Sequence, residues 1–197
     1  MKNSILFITG PTAIGKSELA IRLSKEINGE IINADSMQIY KEISILSSKP
    51  KNKDKKLVKH HLYGFRSIKK NFSTGHWLKM VSRKINILRQ NNKVPIVVGG
   101  TGLYFKALTN GLVNIPEIPN NLRTKIRSLH QRIGQKKFFE KLVQIDSLAE
   151  KKIIPTDTQR SIRAFEVKKF TNRSLYSYIK NTKPNFKQRD FVKFFIN

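Results

Sequence analysis

The chain is predicted to fold as an α/β protein, a parallel sheet core covered by helices and interrupted by a small α-helical domain. Three observations predict it. An apolar run at residues 5–8 leads into a glycine loop and a helix, apolar runs then alternate with helical segments to about residue 108, and beyond a proline-marked break the pattern is helical.

The elements follow in order. Residues 5–8 are a short strand, and residues 17–27 place Leu19, Ala20, Leu23 and Ile27 at helical spacing after the loop. Residues 30–34 form a second strand that ends on Asp35, and residues 49–59 read as a lysine-dense surface loop. Residues 72–91 carry a helical start signal at Ser73 or Thr74, with Trp77, Met80, Val81, Ile85 and Leu88 on one face. Residues 94–98 are a buried strand running into Gly99-Gly100, and a helix starts near Thr101. Strands separated by helices imply a parallel sheet covered on both faces. A linker with two prolines occupies residues 111–119. Short helices are expected over 121–133, 135–144, 147–152, 156–170 and 174–180, and an apolar, aromatic run at 189–196 reads as one more buried strand. The domains are then an α/β core over 1–113, a helical insert over 114–183 and a return strand within 184–197.

At 197 residues the chain can bury one good core and a small appended unit, and 39% hydrophobic residues with 7 prolines exclude wholesale disorder. It has no run of eighteen apolar residues and no signal-peptide pattern at its start, so a cytoplasmic, membrane-free protein is expected. With no cysteine there is no disulfide, thiolate zinc site or cysteine nucleophile. The four histidines show no metal-ligand spacing, and His60-His61 reads as a turn. The net charge of +26 is unevenly spread: 6 basic and 5 acidic residues over 1–50, 14 and 1 over 51–113, and 19 and 7 over 114–197. A polyanion is the natural partner of everything after the first fifty residues.

Gly10, Pro11, Thr12, Ala13, Ile14, Gly15, Lys16 and Ser17 fit GxxxxGK[ST]. Glycines let successive amides turn toward an anion, and the following helix adds roughly half a positive charge at its N-terminus. Lys16 would reach the outer phosphate oxygens and the Ser17 hydroxyl would ligate Mg2+. The octet identifies a phosphate grip without identifying whose phosphate. Enzymes with this loop usually carry a second carboxylate at a strand end, yet the strand at 94–98 ends in Gly-Gly-Thr. Asp35 is the acidic residue in that position, where open α/β sheets bind ligands. It can act as a general base or on magnesium through water, or it can simply cap a helix starting at Ser36.

Several segments together, GPTAIGKS at 10–17, EIINADSMQIY at 30–40, Lys49-Pro50, His60-His61-Leu62, PIVVGGTGLYFKA at 95–107 and PTDTQRSIRAFE at 155–166, resemble the bacterial tRNA dimethylallyltransferases. That resemblance implies transfer of a dimethylallyl group from dimethylallyl diphosphate to N6 of an adenosine beside the anticodon of tRNA. It implies that residues 10–17 cradle the donor's diphosphate with Mg2+ and that Asp35 is the general base. Ser36, Met37 and Gln38 would meet the extruded base or its neighbours. Thr101, Arg123, Gln159, Arg160, Ser161, Ile162 and Arg163 would contact tRNA, with Lys16, Ser17 and Thr101 close to the reaction. The base must leave its stack at a cost of a few kcal/mol, which phosphate contacts on the anticodon stem-loop offset. Magnesium, Lys16 and the loop amides would stabilise charge developing on the departing diphosphate.

The resemblance further implies roughly another hundred residues after the strand at 189–196, on a domain-length basis, including an arginine that assists the diphosphate. A monomer is expected. Two other functions fit parts of the sequence: a nucleoside or small-molecule kinase, which predicts ATP turnover, and a non-catalytic RNA-binding remnant.

Overall fold

The computed structural model describes residues 4–43, 45–70, 72–179 and 182–197. Two compact units divide the chain: Met1–Gly111 with Pro184–Asn197, and Leu112–Lys183, which lies between those segments in sequence.

The first unit is built on a five-stranded sheet, ordered β3-β2-β4-β1-β5, with every pairing parallel. Its strands are β1 (Ile5–Thr9), β2 (Gly29–Asn33), β3 (His60–His61), β4 (Val94–Gly99) and β5 (Phe191–Phe195). The helices are α1 (Lys16–Glu26), α2 (Asn52–Leu57), α3 (Thr74–Gln90) and α4 (Gly102–Asn110). Alternation along β1 assigns the faces. Leu6 and Ile8 pack with Ala20 of α1, Ile31, Ile96 and Val98, whereas Phe7 points the other way and meets Phe105 of α4 edge-on, ring centroids 5.0 Å apart. Trp77 of α3 is fully buried and stacks on Tyr104 at 4.1 Å. Burying such side chains stabilises the fold by about 1.5–3 kcal/mol each.

Three expectations need correction. The lysine-dense segment expected as a loop contains α2, which buries no residue; the Asp54 carboxylate accepts from the Lys51 amide at 3.0 Å and holds its first turn. The His60-His61 pair is a short edge strand rather than a turn, in register with Ile31 and Ile32. The final strand exists, yet it forms the other edge and is not buried: Val192, Phe194 and Phe195 are 40%, 41% and 67% exposed. It pairs with β1 alone, and Phe191 reaches the core by packing on Phe7 at 4.7 Å.

The second unit contains α5 (Asn120–Ile145), α6 (Ser147–Glu150), α7 (Thr158–Thr171) and α8 (Leu175–Ile179). α5 is broken at Gly134, whose φ of 76° and ψ of 166° are not helical, so the two helices read from sequence abut there. Ile126, Phe138, Phe139, Leu142, Ala149, Ile153, Ala164 and Phe165 form the core of this unit. The helix expected over 174–180 ends on Lys180, which lies outside the described residues. Among the described residues, no helix is long and apolar enough to cross a membrane.

Candidate phosphate and nucleic-acid site

The strand order places the site. β4 lies between β1 and β2, so the loop leaving β1 and the turn leaving β2 flank the end of β4, two strand spacings or roughly 10 Å apart. Gly15 precedes α1 with a φ of 88°, a left-handed conformation that a side chain would strain, and its carbonyl accepts the amide of Leu19 at 3.1 Å. Pro11, Thr12, Ala13, Ile14 and Ser17 are exposed, as an anion-binding loop requires. Lys16 Nζ donates to the Gly10 carbonyl at 2.9 Å and to that of Pro11. Burial lowers the Lys16 pKa, and the negative charge of Asp35 partly opposes that shift. The loop lysine and the strand-end carboxylate therefore share one field.

Asp35 is held by its neighbours. Asn33, fully buried, accepts the Asp35 amide at 2.9 Å through Oδ1 and donates through Nδ2 to the carbonyls of Asp35 at 2.9 Å and Leu62 at 3.1 Å. Trp77 Nε1 donates to the Asn33 carbonyl at 2.9 Å. Asp35 Oδ1 accepts the Met37 amide at 2.8 Å, and no helix follows, so the carboxylate closes a turn instead of capping a helix. No hydrogen bond among the described residues engages Oδ2. Two phenols near Asp35 are pushed up: burial first, then Tyr40 and Asp35, raise Tyr104 to about 12, and desolvation followed by Asp35 raises the half-buried Tyr63.

The glycine ending β4 has a steric cause. A Cβ on Gly99 would lie 2.2 Å from the carbonyl carbon and oxygen of Ala34 and 2.8 Å from the Asp35 amide. Thr101 then ties the two strand ends together. Its amide donates to the Ala34 carbonyl at 3.2 Å, and its Oγ1 accepts from the Ser36 amide at 2.9 Å. Met37 is 54% exposed, whereas the Gln38 side-chain amide donates to the Ser47 carbonyl at 2.8 Å and braces that turn. Next to Ser17 lies an open cleft of about 830 Å3 lined by Lys41, Lys49, Lys51, Lys55 and Tyr63. Its Lys49 donates to the Tyr40 carbonyl and, at 3.2 Å, to that of Lys41.

In the second unit the residues named from sequence divide by depth. Gln159 and Arg160 are exposed, and Arg160 Nε lies 3.4 Å from Asp157, which also caps α7 by accepting the Arg160 amide at 3.0 Å. Ser161 is fully buried, donating to the Asp157 carbonyl at 2.7 Å and accepting from Gln135 at 3.1 Å; Ile162 packs against the helical core. The Ser161 side chain faces the interior, which corrects its reading as a direct side-chain contact, because α7 must bury one face; Ile162 is half-buried. Arg123 and Arg163 meet at the buried Glu166. Neither Asn33 nor Glu166 stands out by residue type; a polar side chain ending the apolar run of β2 was the only sign of the first.

Among the described residues, no group of three or more His, Asp or Glu side chains could hold a metal. Mg2+ keeps several waters and is bound largely through substrate phosphates, and the exposed Ser17 hydroxyl at the start of α1 could complete such a set.

A glycine loop on a helix N-terminus, at the carboxyl edge of a parallel sheet and faced by a carboxylate two strands away, defines an α/β protein of the phosphate-loop class. Residues 38–197 match the family described as IPP transferase. The tRNA dimethylallyltransferase of Pelagibacter ubique (strain HTCC1062) is 50% identical over 196 residues, covering 100% of this chain and 63% of that protein. The tRNA dimethylallyltransferase of Rickettsia massiliae (strain Mtu5) is 46% identical over 177 residues, 90% of this chain and 49% of that one. Among solved structures, a eukaryotic dimethylallyltransferase acting on tRNA matches with a TM-score of 0.84 at 27% identity, covering 98% of this chain and 48% of that one. The full-length tRNA isopentenylpyrophosphate transferase of Bacillus halodurans matches with a TM-score of 0.58 at 28% identity. The chain belongs to the IPP transferase family. It spans about half to two thirds of the length of these curated relatives.

Proposed function

We propose that this chain carries the donor and base sites of a tRNA dimethylallyltransferase: the loop at 10–17 holds the diphosphate of dimethylallyl diphosphate, and Asp35 accepts a proton from N6 of an adenosine. The observation that carries this reading is the placement of Asp35 in the field of Lys16, with Oδ1 fixed by Met37 and Oδ2 left for a substrate proton.

The chemistry balances within this site. N6 attacks the allylic carbon, the carbon–oxygen bond to diphosphate breaks with its electron pair leaving on oxygen, and the N6 proton passes to Asp35. The loop amides, the start of α1 and Lys16 lie where the departing negative charge accumulates, and interactions that strengthen there lower the barrier. Ser17 and the diphosphate would hold Mg2+, which would supply positive charge to the same leaving group. The kinase alternative lacks support at β4, which ends on Gly99 and is followed by Gly100 and Thr101, without a carboxylate. Net charges of +13 over 51–113 and +12 over 114–197 favour RNA as acceptor.

Anticodon stem-loop RNA incubated with this chain and labelled dimethylallyl diphosphate, or labelled ATP, tests the reading. Prenyl label on the RNA is expected. ATP turnover without prenyl transfer would support the kinase, and RNA binding without either reaction would support the non-catalytic remnant.

A further inference from the structure

Glu166 is 1% exposed, in the unit where α5 packs on α7. A carboxylate is retained at such depth when cations pair with it, and three do. Arg163 Nη1 lies 3.5 Å from Oε2, Arg123 Nε 3.7 Å from Oε2 and Arg127 Nε 3.6 Å from Oε1. Arg123 and Arg127 are one turn apart on α5 and share a face, while Arg163 approaches from α7.

The cluster is over-supplied with positive charge: three guanidinium groups against one carboxylate leave +2. Glu166 Oε1 and Arg123 Nε, both buried, make no hydrogen bond, so Arg123 and Arg127 are held by charge alone, while Arg163 Nη1 donates to Oε2 at 3.5 Å. Arg123 and Arg127 approach through Nε, and no hydrogen bond among the described residues engages their Nη atoms. The arginine side chains are 39%, 57% and 43% exposed for Arg123, Arg127 and Arg163. Planar forks of this kind match phosphate oxygens. Without Glu166, the three cations would repel one another and spread apart.

We propose that Arg123, Arg127 and Arg163 form one binding site for a backbone phosphate of RNA, with Glu166 as the positioning residue that gathers them. This rests on the tRNA reading above and adds Arg127 and Glu166 to it. The chemistry recognised is a phosphate, and the open, half-exposed setting favours a phosphodiester of a folded RNA over a free diphosphate, which needs an enclosing loop.

The test uses the whole chain and labelled anticodon stem-loop RNA, with affinity followed across a salt series. Arg127→Ala is expected to weaken binding about tenfold and to reduce the salt slope by about one. Arg127→Lys should restore the slope but not the affinity, because an ammonium cannot bind bidentately. Glu166→Gln separates positioning from bulk charge by sign. It removes a negative charge, so electrostatics alone predicts tighter binding, whereas loss of the gathered geometry predicts weaker binding. Wild-type affinity in Arg127→Ala, or tighter binding by a folded Glu166→Gln, overturns the proposal; if Glu166→Gln does not fold, the Arg127 pair decides. Calorimetric binding of inorganic pyrophosphate should be unchanged in Arg127→Ala, and its loss in place of RNA binding would assign the cluster to a free diphosphate. Failure of the wild-type chain to bind RNA would overturn the tRNA reading as well; intact wild-type transfer with an indifferent Arg127→Ala would remove this inference alone.

Discussion

The Ser36 amide donates to Thr101 Oγ1 at 2.9 Å, joining residues 65 apart in sequence at the carboxyl ends of β2 and β4. This bond fixes the turn that carries Asp35 against the segment following Gly99. Thr101→Val keeps the shape and removes the acceptor, and it should lower stability by about 1 kcal/mol. Thr101→Ser should restore it. Equilibrium denaturant unfolding checks both, and wild-type stability in the valine variant would show that the bond contributes nothing.

Gly99→Ala is a harsher change at the same seam. Its methyl would meet the Ala34 carbonyl carbon and oxygen at 2.2 Å, and backbone cannot yield as a side-chain tip can. The expected cost is about 1–3 kcal/mol, with Asp35 displaced. Unfolding midpoints and prenyl transfer should fall together.

Much of this seam was legible beforehand, and the reasons are local. The glycine loop needs its residue types to turn toward an anion, and α3 announces itself by Ser73, which accepts the His76 amide at 3.2 Å, and by a single apolar face. β3 was not legible, because two half-buried histidines carry no alternation. α2 hid behind its lysines. In β5 the run FVKFF looked like core, but an edge strand takes apolar side chains without burying them. The roles of Thr101, bonded to Ser36, and of Ser161, bonded to Gln135, depend on partners far away in sequence, and no pattern in one chain encodes those distances. Nothing in the sequence around Glu166 marks the burial it has in α7.

Lys16→Met should weaken binding of inorganic pyrophosphate about 10- to 100-fold, the range for losing a hydrogen bond from a charged donor. Titration calorimetry reads this directly. Unchanged affinity would mean that Lys16, which donates to the Gly10 carbonyl at 2.9 Å, serves only to close its own loop.

His60 gives a pH signature. Its Nδ1 lies 2.9 Å from the Val58 carbonyl, which can only accept, so that nitrogen carries the proton. Burial lowers the His60 pKa below its ordinary 6.5. Between 6.5 and the lowered folded value the unfolded chain binds more protons than the folded one, so stability should fall as pH falls through that window and level off below it. Proton NMR titration of His60 together with melting curves tests this; a midpoint at or above 6.5 would contradict it.

The central claim is that Asp35 takes the proton while the glycine loop takes the diphosphate. Asp35→Asn separates chemistry from architecture, since an amide oxygen can still accept the Met37 amide while giving up basicity. The decisive measurement is the single-turnover rate of label transfer from dimethylallyl diphosphate to anticodon stem-loop RNA, wild type against Asp35→Asn. Transfer by the wild type, slowed about 10²- to 10⁴-fold in the asparagine variant with an unchanged melting temperature, is the predicted result. Equal rates in the two proteins would contradict the account.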